Sequence, residues 1–172
     1  MSGPAPPVQG PMPPDLLTAR DPVIGLAGPA EMHRLVYISH ARPPRSSAPV
    51  DPEVAPSIAR RAAARNRAAG LTGVLIAIDE TYIQILEGEP AQLAATFERI
   101  CTDLRHSELR LIDYSPLAER RFGPWDMVFL DTATLDDSAP FAALLASVQS
   151  GIAPDALIER ARSALHETQS DR

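Results

Sequence analysis

The sequence predicts an α+β fold whose elements follow the order β-α-β-β-α-β-β, with two further helices at the end. Runs rich in β-branched and aromatic residues alternate with stretches of helical periodicity, and two of these runs are separated by a very short turn. The first six elements have the order of a ferredoxin-like sheet. We therefore expect one sheet with two helices on one face and the two C-terminal helices on the other.

The first strand is predicted at residues 32–39, MHRLVYIS. Residues 1–31 hold eight of the 18 prolines, and we expect a disordered leader because such a segment buries too little surface to offset its ordering entropy. Residues 42–56 hold five more prolines and are predicted to form a loop.

The first helix is predicted to begin between residues 52 and 57, with Asp51 or Ser57 as its N-cap. It ends at Gly70, which can adopt the left-handed conformation of a helix C-terminus. Its apolar positions recur every four residues, and this spacing places Asn66 on the inward face.

Residues 71–79 and 81–88 are predicted to form a tight antiparallel hairpin. Pro90 opens a second helix, which extends to residue 106 and carries Cys101 on its buried stripe.

The remaining strands are predicted at residues 108–117 and 124–130, joined by a charged turn. Amphipathic helices follow at residues 138–150 and 154–168. These helices need an apolar surface, and the uncovered face of the sheet provides one.

The third strand, TYIQIL, is apolar on both sides and carries an amide at its centre. A buried Gln84 without partners would cost about 1–3 kcal/mol. Two interpretations follow: Gln84 is a structural residue bonded to neighbouring backbone, or it meets a ligand bordered by hydrogen-bonding groups.

Composition excludes several classes of function. At 172 residues, one domain is expected, and the net charge of -6 argues against general nucleic-acid binding. All 16 basic residues are arginine, so a lysine nucleophile is excluded. The single cysteine excludes an internal disulfide and fits a cytoplasmic protein, and no apolar run is long enough for a membrane span.

No common catalytic or metal-binding motif is present, and the four histidines have no paired spacing. The carboxylates at 79–80 and at Glu87 and Glu89 lie in turns or at strand ends, where we expect them to be solvated. We therefore expect neither a metal site nor an enzyme.

Polar side chains also occur at predicted interior positions of separate elements, namely Tyr37, Asn66 and Gln84. Trp125 and Met127 are predicted to share a face of the last strand. Each alone is explained by core packing. Together they suggest a planar polar ligand between the two helices, against the first and third strands.

Five segments, in order, carry a resemblance to a known family: RLVYIS, NRAAGLTG, YIQILEG, ERICTDLRHS and ERRFGPWDM. In this order and spacing they resemble a BLUF domain, the flavin-binding blue-light sensor. The resemblance covers residues 32–131. It implies a sensor domain there, after the leader at 1–31 and before a C-terminal extension at 132–172 for output or oligomerisation.

The resemblance assigns roles to individual residues. Tyr37 matches the tyrosine that gives an electron and a proton to the excited flavin, and Gln84 matches the glutamine that changes its hydrogen bonds after light. Asn66 matches the asparagine that bonds the flavin edge. Trp125 and Met127 match a pair that relays the change, with Met127 also near the cofactor.

Further cofactor contacts are implied more weakly along the second helix. The matching residues are Arg99, Asp103, Arg105 and His106. Arg65 stands where many members have an asparagine, and it is retained as a candidate contact. Asp126 replaces the usual serine or threonine between the relay residues, which leaves open whether Trp125 faces inward or outward.

The resemblance implies a blue-light photoreceptor that binds FAD, with FMN as the alternative. The output is expected to be contact with a signalling partner of unknown identity. Some members act on cyclic-dinucleotide phosphodiesterases, and the amphipathic C-terminal helices predict a homo-oligomer. Two alternatives stay open: a light-insensitive binding module, and a small enzyme using His106 and Asp103 for acid-base chemistry.

Overall fold

The structure is a computed structural model that describes residues 31–41 and 53–170. The strands are β1 (Met32–Ala41), β2 (Thr72–Ile78), β3 (Thr81–Gly88), β4 (His106–Leu117) and β5 (Val128–Asp131). The helices are α1 (Val54–Ala69), α2 (Pro90–Cys101), α3 (Ala139–Gln149) and α4 (Asp155–Ser170), with a 3-10 turn at Thr132–Thr134. The predicted leader up to residue 30, and residues 42–52 with the N-cap candidate Asp51, lie outside the described residues.

The five strands form one sheet in the order β4-β1-β3-β2-β5. All neighbouring pairs are antiparallel except β2 and β5, which run parallel. The predicted α+β class and the β2–β3 hairpin are confirmed. In the ladder between β1 and β3, Tyr37 lies directly opposite Gln84.

Each face of the sheet is covered by one pair of helices, as predicted. One face of the sheet is covered by α1 and α2, and we call it the pocket face. On it, alternate residues such as Leu35, Tyr37 and Leu86 pack with these two helices. On the opposite face, residues such as Val36 and Ile85 pack with α3 and α4. Both faces of β3 are therefore buried, as its apolar pattern on two sides predicts.

Arg34 fastens α4 to the opposite face of the sheet. Its Nε donates to Asp113 of β4 at 3.0 Å, and its Nη1 donates to Asp155 in the first turn of α4 at 3.1 Å. Asp155 also lies where a helix N-terminus favours negative charge.

Two glycines have a geometric requirement. Gly70 caps α1 with φ 64°, as the sequence predicts. A Cβ added to Gly73 would lie 2.1 Å from the Ile85 carbonyl oxygen, so no larger residue fits where β2 approaches β3.

Several predicted boundaries and environments are wrong. Helix α1 has Glu53 as its N-cap, and the Glu53 side chain makes no capping hydrogen bond to the helix. Helix α2 ends at Cys101, so this cysteine is exposed rather than buried. Glu87, predicted to be solvated, is fully buried because the turn before β5 folds over it.

Within the described residues, no helix combines the length and apolar character required to cross a bilayer. The same residues contain no cluster of three or more side chains that could coordinate a metal.

Candidate functional site

A cleft opens between α1 and α2, above the centres of β1 and β3. Its empty space is about 520 Å³, including the part open to solvent. Its lining residues are Tyr37, Ile58, Arg61, Ala62, Arg65, Asn66, Gln84, Thr96, Arg99, Ile100, Asp103 and Arg105. Aliphatic walls with convergent polar groups suit a planar heteroaromatic ring.

A chain of three hydrogen-bonded side chains begins at the floor of the cleft. Tyr37 Oη donates a hydrogen bond to Gln84 Oε1, and Gln84 Nε2 donates to Met127 Sδ at 3.5 Å. Tyr37 and Gln84 are only 4% and 3% exposed. The Gln84 amide thus accepts a hydrogen bond from the phenol through its oxygen and donates one through its nitrogen to a thioether, which is a weak acceptor.

Burial raises the pKa of Tyr37 well above its ordinary value of 10.0, and electrostatic interactions with Asp103 and Cys101 raise this pKa further. The phenol therefore keeps its proton at neutral pH and donates a hydrogen bond to Gln84. Its ring also packs at 5.8 Å from the ring of Phe97 on α2.

Asn66 lies at the other side of the cleft, 2% exposed, on the inward face of α1 as the sequence predicts. Its Nδ2 donates to the main-chain oxygen of Asp126 at 2.8 Å. The Asp126 carboxylate turns outward and meets Arg67 Nε at 2.7 Å. The unusual charge of Asp126 is thus paired on the outer surface.

The predicted shared face of Trp125 and Met127 is wrong. Strand β5 begins only at Val128, so strand alternation does not apply to the two residues. Met127 packs on the pocket face, whereas Trp125 packs against the cluster on the opposite face. The Trp125 ring lies 5.5 Å from the ring of His166 on α4.

The remaining candidates lie along the rim of the cleft. Arg65 and Arg99 line it, and Arg99 donates to Thr96 at 3.1 Å. Asp103 accepts from Arg105 Nε at 2.9 Å, and this hydrogen bond raises the pKa of Arg105. His106 begins β4, but its side chain is not among those described.

A family model described as BLUF, sensors of blue-light using FAD, matches residues 32–128. The chain belongs to the BLUF family. This match covers the whole sheet up to the start of β5, and with it every residue that lines the cleft.

Two relatives are similar to the chain over about 100 residues. The chain is 35% identical over 99 residues to the blue light- and temperature-regulated antirepressor BluF of Escherichia coli, covering 56% of this chain and 23% of that protein. It is 30% identical over 96 residues to the photoactivated adenylate cyclase subunit beta of Euglena gracilis, covering 56% of this chain. The match spans only 11% of that subunit.

A solved BLUF structure matches over more of the chain. BlrB in its dark state superposes with a TM-score of 0.66 at 29% identity, covering 78% of this chain and 97% of that one. The fold is therefore that of a BLUF domain with helices after the sheet.

The BLUF family uses FAD, and the cleft fits such a group. Ile58, Ala62 and Ile100 supply apolar walls. Four arginines, Arg61, Arg65, Arg99 and Arg105, line the same cleft and could meet phosphate oxygens as charge-assisted pairs.

Sequence reasoning missed two polar lining residues, Arg61 and Thr96. A signal for both was available. Arg61 lies one turn before Arg65 on α1, and Thr96 lies one turn before Arg99 on α2, so each shares a helix face with a residue that was identified.

Proposed function

We propose that this BLUF domain senses blue light through Tyr37 and Gln84 when FAD occupies the cleft between α1 and α2. The observation that carries the proposal is the hydrogen bond from Tyr37 Oη to Gln84 Oε1 on the floor of that cleft. The hydrogen bond joins an oxidisable phenol to an amide whose donor and acceptor can exchange places by rotation.

The bound flavin supplies the absorption of blue light and an excited state that accepts an electron. Tyr37 is the residue able to release an electron and its Oη proton and to take both back. Gln84, which holds that proton by its hydrogen bond, then rotates or changes tautomer. In this buried site, the exchange of hydrogen-bond partners changes the free energy more than it would in water.

We propose that Asn66 and the arginines of the rim hold the cofactor. Asn66 would orient the ring, and Arg65, Arg99 and Arg105 would meet the ribityl and phosphate groups, with Asp103 keeping Arg105 in place. More than one guanidinium at the rim favours FAD over FMN, because FAD carries two phosphates.

The response would leave the cleft through Met127 and Trp125. Met127 touches Gln84, and Trp125, two residues earlier, touches α4. We propose that residues 32–131 are the sensor and residues 132–172 the output extension. That extension would act on a partner protein in the cytoplasm or on a second copy of the chain, without catalysis by the chain itself.

The test is an absorption spectrum of the full chain loaded with FAD, before and after blue light. We expect a small red shift of the flavin band that reverses in the dark. Tyr37→Phe keeps the ring packing but removes the proton donor, so we expect it to bind FAD and lose the shift.

Tyr114→Phe is the matched control, because Tyr114 is about half exposed and lies on β4 outside the cleft. It should keep the shift of the unmodified chain. A chain that takes up no flavin, or a Tyr37→Phe variant with the full shift, would contradict the proposal.

A further inference from the structure

Glu87 is a fully buried carboxylate that the light response described above does not use. It lies on β3, three residues after Gln84, and is 0% exposed. Its Oε1 accepts from the main-chain N–H of Arg121, and its Oε2 accepts from that of Phe122, both at 2.9 Å. A charge in such a place is retained only if its hydrogen bonds are satisfied.

Thr72 and Arg120 complete the surroundings of the carboxylate. Thr72 Oγ1 donates to Glu87 Oε2 at 3.3 Å and accepts from Arg120 Nη1 at 2.8 Å. Arg120 also donates to the main-chain oxygens of Glu87 and Gly70, at 2.8 and 2.7 Å. Strands β2 and β3 thereby hold the turn that leads to β5.

We call residues 118–127 the connector, because they join β4 to β5 and contact both faces of the sheet. On the pocket face, Met127 meets Gln84, and the Asp126 carbonyl meets Asn66. Between the two faces, the Trp125 carbonyl accepts from Gly73 N–H at 2.9 Å.

The connector also contacts α4 and the core of the opposite face, through Arg121, Phe122 and Trp125. Arg121 Nη1 lies 3.4 Å from Glu159 of α4, and Phe122 is fully buried in the core of that face. The ring of Trp125 lies near His166, further along α4. The two residues that Glu87 holds, Arg121 and Phe122, thus both meet this face.

We propose that Glu87 is a positioning residue for the light response. Its carboxylate fixes the start of the connector on β3, so that Met127 remains against Gln84 while Trp125 remains against α4. This inference rests on the proposed function, since it concerns how the change at Gln84 reaches the C-terminal helices.

The test is Glu87→Gln in the full chain loaded with FAD, compared with Glu89→Gln. The amide keeps the size of the side chain but presents an NH2 group to a backbone N–H, so one of the two connector bonds is lost. Glu89 is exposed, makes no side-chain cap to α2 and provides the control.

Three readings are expected from Glu87→Gln. The variant binds FAD and forms the red shift, because Tyr37 and Gln84 are intact. Its dark recovery is faster by about tenfold, the effect of losing one hydrogen bond to a charged group. In the unmodified chain we expect light to change the emission of Trp125, the one tryptophan of the chain, because its ring lies against α4. In Glu87→Gln this change should be lost.

A purely structural role would lower the denaturant midpoint but leave the recovery rate and the light-dependent Trp125 emission of the folded protein as they are, and this result would overturn the proposal. If Glu87→Gln does not fold, Thr72→Val decides. It removes one partner of the carboxylate and should accelerate recovery by a smaller factor, whereas an unchanged rate would overturn the proposal.

Failure of the proposed function is seen separately. An unmodified chain that binds FAD but shows no red shift would contradict the light-sensing role. The emission of Trp125 in the dark would still report whether Glu87 holds the connector: an unchanged emission maximum in Glu87→Gln would contradict the positioning role, and a shifted maximum would support it.

Discussion

The two faces of the sheet are built from the same strands but differ in what they bury. The core of the opposite face is an apolar cluster, with Phe122, Phe141 and Leu157 fully buried among the side chains of α3 and α4. The pocket face includes Tyr37, Gln84 and Asn66, and its two helices leave the cleft between them. The difference separates stability from function, because one face supplies close packing and the other supplies hydrogen bonds and space.

Strand β3 contributes to both faces and makes the contrast chemically useful. Ile83 and Ile85 pack on the opposite face, whereas Gln84 between them points toward the cleft. The proposed rearrangement of the Gln84 amide would therefore occur on a strand whose neighbouring residues are fixed by close packing. Gln84 also donates a hydrogen bond to the sulfur of Met127, so the proposed change would be passed to Met127.

The largest expected effect is loss of the light response on Gln84→Leu. The variant keeps the apolar surface of β3 but leaves Tyr37 Oη without the amide that accepts its proton. We expect FAD to bind more weakly and the red shift to be absent, measured as light-minus-dark absorption. A persistent shift would show that the amide is not the group that responds.

A large effect on stability alone is expected from Phe141→Ala on the opposite face. Phe141 is fully buried beneath the guanidinium of Arg160, at 5.3 Å from the ring centre. The free energy of unfolding should fall by about 3–5 kcal/mol, the usual cost of this truncation in a core. Denaturant unfolding measures this loss.

The comparison predicts that the folded fraction of Phe141→Ala keeps the red shift. Leu104→Ala is the control, because Leu104 is 76% exposed and its loss should change stability by less than about 0.5 kcal/mol. Loss of the shift in folded Phe141→Ala would show that the two faces are not separate in function.

A moderate effect is expected at alkaline pH, from the pocket face alone. The pKa of Tyr37 is raised above its unfolded value of 10.0, mainly by burial. The contribution of Tyr37 to stability is therefore constant below pH 10 and is lost as the pH rises from there toward the folded pKa, because the unfolded state then binds fewer protons.

The slope attributable to Tyr37 should approach about 1.4 kcal/mol per pH unit. Denaturant unfolding of the unmodified chain and of Tyr37→Phe between pH 8 and 11 measures it as the difference between two curves. Parallel curves across this range would mean that Tyr37 is not buried in its neutral form.

Much of the opposite face and of β3 could be predicted from the sequence, because local patterns specify them. Strand β3 has the predicted bounds, Thr81–Gly88. The inward residues of the C-terminal helices, such as Phe141 and Leu157, follow helical periodicity. Apolar spacing is a property of neighbouring residues, so it can be seen in one segment at a time.

What the sequence could not provide depends on partners distant along the chain. Trp125 and Met127 look like strand residues, but hydrogen bonds from Gly73 and Asn66 take the carbonyls at positions 125 and 126. The sequence pattern predicts that Glu87 is solvated, but the main-chain N–H groups of Arg121 and Phe122, which are distant along the chain, bind its carboxylate. The residues Tyr37, Gln84 and Asn66 were singled out as polar groups at predicted interior positions, whereas their roles came from resemblance and remain predictions.

The prediction that Cys101 is buried was wrong for a local reason. The periodicity of α2 continues past it, but Thr102 Oγ1 bonds back to the Arg99 carbonyl, and Asp103 accepts from the N–H of Arg105. These side-chain bonds compete with the helix and end it.

The smallest expected effect is at the outer edge of the pocket face, on Arg67→Gln. Arg67 and Asp126 form an ion pair whose side chains are 77% and 30% exposed, so its loss should cost less than about 1 kcal/mol and less still at high salt. Arg60→Gln, which removes the more exposed pair with Glu53, is the matched control for charge.

Because Asn66 holds Asp126 through its main-chain oxygen, Met127 should stay in place, and the red shift should be that of the unmodified chain. A changed shift in Arg67→Gln but not in Arg60→Gln would mean that the charge of Asp126 acts on the cleft, and the outer surface would then have to be counted with the pocket face.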